Sequence, residues 1–135
     1  MEGDIIHYEI PAKNPAKLSK FYANVVGWKF SDAGMPGMKY LIIRTSKKTA
    51  LPSGGMYKKL GHDTTPRTYV SVNNIDVSTR KLVKNGGKVL VPKQAIPGMG
   101  WSVIAKDIEG NPLGLFQPDM SAGKLKSKKQ ATAAL

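Results

Sequence analysis

Apolar and polar residues alternate from Asp4 to Ala12, with Ile6, Tyr8 and Ile10 on one side and His7 and Glu9 on the other. This period of two predicts a strand with one face against a core. The period then lengthens. Between Asn14 and Phe30, Leu18, Phe21, Tyr22 and Val25 recur at spacings of three and four, which predicts a helix with one buried face. Asn14 supplies the N-cap, Pro15 the first helical position and Gly27 the stop. Three short strand-like runs follow at 27–32, 38–45 and 51–59, punctuated by Gly, Pro and Ser.

The same order returns in the second half. The segment "RTYVSVNNID" predicts a strand entering a helix capped by Asp76 and closed by Gly86 and Gly87, and "KVLVP", "GWSVIAKD" and "NPLGLFQ" predict three more strands. A shift of 60 residues lays Asn14 on Asn74 and Gly27 on Gly87, so the repeat rests on element order and punctuation. The expected class is α+β. One domain over residues 1–119 would contain two tandem βαβββ modules, about 4–60 and 66–119, forming a curved mixed sheet around a cleft with the helices outside. Residues 120–135 have no acid and no aromatic, and are expected to form a flexible basic tail.

Composition narrows the chemistry. A chain of 135 residues with 41% hydrophobic content suits one core. No apolar run nears the roughly 20 residues of a membrane helix, and the N-terminus is acidic and strand-like, so a soluble cytoplasmic protein without a membrane partner is expected. The absence of cysteine excludes disulfides, thiolate zinc sites and cysteine nucleophiles. His7 and His62 are the only histidines. The net charge of +12 includes Lys124, Lys126, Lys128 and Lys129 in the tail; the rest of the chain holds 17 basic and 9 acidic residues. Its lysines are dispersed and its arginines number only three, Arg44, Arg67 and Arg80, so nucleic acid is not the expected partner. No Ser-His-Asp arrangement or phosphate-binding glycine loop stands out.

Three segments carry a resemblance: "HYEIPAKNPAKLSKFYANVVGWKF", "YVSVNNIDVSTRKLVKNGGKV" and "IPGMGWSVIAKDIEGNPLGLFQ". Together with the βαβββ repeat they resemble the vicinal oxygen chelate superfamily, which includes glyoxalase I, bleomycin-resistance proteins and extradiol dioxygenases. The likeness covers about residues 4–119. Its most specific part is similar to the pattern D-P-E-G-N-x-x-G-L-x-Q of glyoxalase-like members without assigned activity, with Ile108 in place of the proline.

In metal-dependent members, four inward positions hold the ion, one on the first and one on the last strand of each module. The resemblance puts them at His7, Arg67, Gly54 or Gly55, and Gly114. Only His7 is a ligand type: a guanidinium stays protonated and glycine has no side chain. No cofactor is therefore expected, with His7 as the remaining metal candidate. Glu9, Glu109, His62 and Asp63 carry donor atoms without the implied placement.

The implied strand registers gather His7, Glu9, Arg67, Tyr69 and Ser71, with Trp101, Phe116 and Met56 as apolar walls. That mixture suits a small neutral or anionic ligand with a flat apolar body. The favoured reading is a homodimeric small-molecule-binding protein with a degenerate metal site. One alternative is a lyase, such as a lactoylglutathione lyase-like enzyme, or an oxygenase; it would use either a metal or His7 and Glu9 as acid–base partners. Another is a basic accessory protein that uses its tail on nucleic acid or an acidic partner. No residue is assigned a catalytic role.

Overall fold

The computed structural model describes residues 2–45, 54–61 and 65–124. The chain divides into two units, Ile5–Tyr69 and the combination of residues 1–4 with 70–135. The class is mixed α+β, with eight strands and two helices among the described residues in the order β, α, β, β, β, twice over.

In the Ile5–Tyr69 unit, β1 (Ile5–Ala12) leads into α1 (Pro15–Val26), β2 (Lys29–Asp32), β3 (Tyr40–Arg44) and β4 (Gly54–Lys58), and β5 (Arg67–Ser71) begins at its end. The strands lie in the order β2-β3-β4-β1. Sequential neighbours pair antiparallel, whereas β4 runs parallel to β1, an arrangement that needs the long crossover supplied by α1 and the β2–β3 hairpin. Helix α1 starts where the Asn14 side chain accepts from the Lys17 N–H at 3.1 Å and Pro15 needs no hydrogen-bond acceptor. It ends at Gly27, whose φ of 76° is a left-handed cap, with its N–H donated to the Ala23 carbonyl.

Parity along the strands sorts the two faces. Ile10, Ala12, Leu41, Ile43 and Met56 form the core, joined by Tyr8, Leu18, Tyr22, Trp28 and Phe30. Met56, expected to wall a cleft, is instead fully buried in this core, because its pairing with Leu41 puts it on the apolar face. Burying a side chain of that size contributes roughly 2 kcal/mol. The inward stripe of α1 is also narrower than its spacing suggests. Leu18 and Tyr22 pack inward, but Phe21 and Val25 are exposed, Phe21 lying edge-on to Tyr22 at 5.3 Å.

The other unit contains α2 (Ile75–Lys84), β6 (Lys88–Ile96), β7 (Gly100–Lys106) and β8 (Pro112–Pro118), in the antiparallel order β8-β7-β6. The α2 cap is Asn74, not Asp76. Asn74 has the extended backbone of a cap and accepts from the Val77 N–H at 3.1 Å, while Asp76 lies in the first turn and pairs with Lys93 at 3.3 Å. Val72, Ile75, Val103 and Leu115 make the core, with Leu82, Trp101 and Leu113 against it. Strand β6 runs on through Pro92 to Ile96, since register shifts on either side of Val91 let an outer strand hold a proline.

The family-like turn after β7 is organised by Asp107. Its Oδ1 accepts the N–H groups of Glu109 and Asn111, both at 2.9 Å, its Oδ2 accepts from the Asn111 amide at 3.0 Å, and Gly110 takes a φ of 85°. These bonds hold the Asp107 carboxyl below its ordinary pKa, the Asn111 side chain contributing most. Beyond β8 the chain turns back, Ala122 is fully buried, and its carbonyl accepts from the Gly98 N–H at 3.0 Å. Residues 125–135 of the basic segment lie outside the described residues.

One buried group works against the core. The Tyr8 hydroxyl has no hydrogen-bond partner among the described residues, and the ring sits 6.2 Å from Trp28. Burial raises its pKa. Tyr8→Phe removes an unmatched polar atom and keeps the ring, so chemical denaturation should show stability unchanged or raised by up to about 1 kcal/mol. A loss of that size would show that the hydroxyl is matched.

Candidate functional site

The sheet face opposite the Ile5–Tyr69 core is polar and centred on one carboxylate. Glu9 is 8% exposed, deep enough that its charge must be compensated. Its Oε1 accepts from the Tyr69 hydroxyl at 2.7 Å and from Arg67 Nε at 2.9 Å, with Arg67 Nη2 at 2.8 Å. Its Oε2 accepts from the Tyr40 hydroxyl at 2.8 Å. His7 Nε2 lies 2.9 Å from the same Tyr40 oxygen, and the His7 ring meets Tyr69 edge-on at 5.6 Å. The Arg67 guanidinium spreads over the Tyr57 ring, 5.0 Å from its centre.

Each element presents its group for a local reason. Alternation along β1 puts His7 and Glu9 opposite Tyr8 and Ile10, and alternation along β5 puts Arg67 and Tyr69 together. On β3, Tyr40 shares its face with Ile42, which pairs with Gly55 of β4. Gly55 also pairs with Glu9. A Cβ built on Gly55 would overlap the Tyr40 hydroxyl, so that phenol occupies the space a side chain at 55 would need. Gly54 faces the other way, toward the Tyr8 ring.

The electrostatics follow from the crowding. Burial first, and then the Glu9 charge, push the Tyr40 and Tyr69 phenols far above their ordinary pKa, so both remain proton donors. Burial opposes the Arg67 charge, but Tyr69 and Glu9 outweigh it and hold its pKa above the ordinary value. Burial lowers the His7 pKa below 6.5, partly countered by Glu9, so the imidazole is neutral at pH 7.

Of the anticipated residues, His7, Glu9, Arg67 and Tyr69 come together. Tyr40, absent from the sequence reading, is the donor that links two of them, and Tyr57 lies under the guanidinium. The available signal was alternation in "KYLIIR", which puts Tyr40 opposite Leu41 and Ile43. Ser71 lies in the other unit, where its backbone bonds to Gly3 and Asp4 at 2.8 Å. Trp101 and Phe116 also belong there, but they do not form one wall. Phe116 pairs with Ser102, so Trp101 lies on the opposite face, against the α2 core, with Nε1 donating to Asp119 at 3.0 Å and Lys93 over its ring. Glu109 sits in the exposed turn, and His62 and Asp63 lie outside the described residues. Among the described residues, no three His, Asp or Glu side chains are grouped to hold a metal ion, and no helix is long and apolar enough to cross a membrane.

Charge is less evenly spread than the sequence implies. The Ile5–Tyr69 unit holds eleven basic and three acidic residues, the other unit ten and six, with four of those ten beyond Gly123. Lys13, Lys17 and Lys20 are exposed at and after the start of α1, and Lys58 and Lys59 are exposed where β4 ends beside Ala12.

Gly55→Ala tests the packing of the cluster. The methyl group forces Tyr40 away from Glu9 and His7, which should cost about 1–3 kcal/mol in chemical denaturation. Where space is free, the same exchange in a strand stabilises by roughly 0.5 kcal/mol, so a gain would show that Tyr40 does not occupy that space.

Comparison with known proteins bears on the fold and the family. A glyoxylase-like domain-containing protein of Didymella fabae is 29% identical over 97 residues, covering 67% of this chain and 73% of the relative. A Mycobacterium bovis relative is 24% identical over 119 residues, and the chain spans 46% of its length. The structure is similar to methylmalonyl-CoA epimerase from Mycobacterium tuberculosis, with a TM-score of 0.62 at 13% identity over 87% of this chain and 88% of the other. It is also similar to a glyoxalase/bleomycin resistance protein/dioxygenase superfamily member from Vibrio splendidus, with a TM-score of 0.60 at 9% identity over 82% and 95%. At these identities the structural likeness speaks for the fold alone. The sequence profile of the Glyoxalase/Bleomycin resistance protein/Dioxygenase superfamily matches residues 4–115, and the chain belongs to that superfamily.

Proposed function

We propose that the protein binds a small neutral or anionic molecule at the polar face of the Ile5–Tyr69 unit, without a divalent metal of the family type. The observation that carries this reading is the state of Glu9. Both of its oxygens already accept from Tyr40, Tyr69 and Arg67, so coordination would require breaking short charge-assisted bonds. A guanidinium in contact with that carboxylate would also repel a divalent cation. At the fourth-strand position, the Tyr40 phenol stands where Gly55 has no side chain. The excess of basic residues in this unit favours neutral and anionic ligands over cationic ones.

The test is metal analysis of protein purified without affinity tag or chelator. Zinc, nickel and iron should each be far below one equivalent, and the protein should not take up zinc on dialysis. One equivalent of any of them, lost together with binding or activity in a His7→Ala variant, overturns the reading.

A second reading rests on the exposed Lys13, Lys17, Lys20, Lys58 and Lys59, which would suit a polyanion such as nucleic acid. If it is correct, binding to a generic oligonucleotide should fall steeply with salt, survive truncation after Gly123 and weaken on Lys17→Glu with Lys58→Glu. Absence of binding at low salt dismisses it.

A further inference from the structure

The hydrogen bonds of the polar cluster admit one arrangement of protons. Glu9, paired with Arg67, only accepts. The Tyr40 hydroxyl has a single proton and donates it to Glu9 Oε2, as Tyr69 donates to Oε1. The side of the Tyr40 oxygen that faces His7 therefore offers only lone pairs, and at 2.9 Å His7 must donate from Nε2. A neutral imidazole has one N–H, so Nδ1 carries a lone pair. Nδ1 has no hydrogen-bond partner among the described residues, and His7 is only half-buried.

We propose that Tyr40, oriented by Glu9, locks His7 in the Nε2–H tautomer, and that the Nδ1 lone pair is the acceptor through which this site takes a ligand bearing a neutral O–H or N–H group. Tyr40 is thus a positioning residue. The charged and titratable groups of the cluster are Glu9 on the same strand, Tyr40 on β3, and Tyr69 and Arg67 on β5; both phenol protons and Arg67 Nε are turned to Glu9, which leaves Nδ1 as the acceptor on the imidazole. The ligand half of the proposal rests on the polar face being the binding site. The tautomer half does not.

Nitrogen-15 NMR on imidazole-labelled protein tests both. The chain has two histidines, so a His7→Gln spectrum assigns the signals. The full chain at pH 7.5 should show His7 with its proton on Nε2 and a bare Nδ1. Tyr40→Phe should relax it toward a mixture of tautomers, whereas Tyr69→Phe, which removes a different donor to Glu9, should leave the tautomer unchanged. A proton on Nδ1 in the parent protein, or an unchanged tautomer in a folded Tyr40→Phe variant, overturns the lock.

Two fragments test the ligand class. Acetohydroxamic acid, a neutral O–H and N–H donor, should move the Nδ1 signal, and acetate, an acceptor only, should not. Shifts at the Tyr40 and Tyr69 rings with Nδ1 unmoved sink the inference and keep the binding site; silence at all three residues sinks the binding site as well. The result expected on every count is a single-tautomer His7 that responds to the donor fragment alone.

Discussion

Burying a carboxylate costs several kcal/mol unless donors replace its water, and Glu9 is buried on strand β1. Much of the polar face follows from that requirement. Strand β1 brings the charge, β3 brings Tyr40, and β5 brings Arg67 and Tyr69. Gly55 must be small so that the Tyr40 phenol can reach across β4. The tyrosines become exceptionally weak acids, through burial first and the Glu9 charge second, and His7 takes its place at the end of the chain of donors.

How legible this was in the sequence depends on the range of the interaction. Alternation within β1 separates His7 and Glu9 from the core, and the same rule within β5 pairs Arg67 with Tyr69, so those four could be read locally. Tyr40 could not be joined to them without the register of β3 on β4 and β4 on β1, which is written in pairings between distant segments. Register also separates Trp101 from Phe116: the turn organised by Asp107 sets Ser102 against Phe116 and sends the indole to the helix side. Helix spacing marked Phe21 and Val25 for burial, but the sheet meets only the narrower stripe of Leu18 and Tyr22. Asn74 rather than Asp76 caps α2 for the reason Asn14 caps α1, an extended residue one position before the first helical one.

Membership of a superfamily fixes an architecture and leaves the chemistry to particular side chains. Here the family's βαβββ repeat is kept, and so is its closing turn, whose acidic residue is engaged in holding three local donors. Within Ile5–Tyr69 the side chains of the polar face are coupled: Arg67 neutralises Glu9, and Gly55 admits the Tyr40 phenol that meets both Glu9 and His7.

Strand β6, with Pro92 and its shifted register, is the outermost strand in the order of its unit. A proline has no N–H to offer an incoming chain, and a bulge disrupts the regular spacing that a second strand would have to match. That border therefore discourages growth of the sheet by addition of another copy's backbone. Association through it would have to rely on side chains, which makes the choice of neighbour a matter of surface chemistry instead of generic strand recruitment.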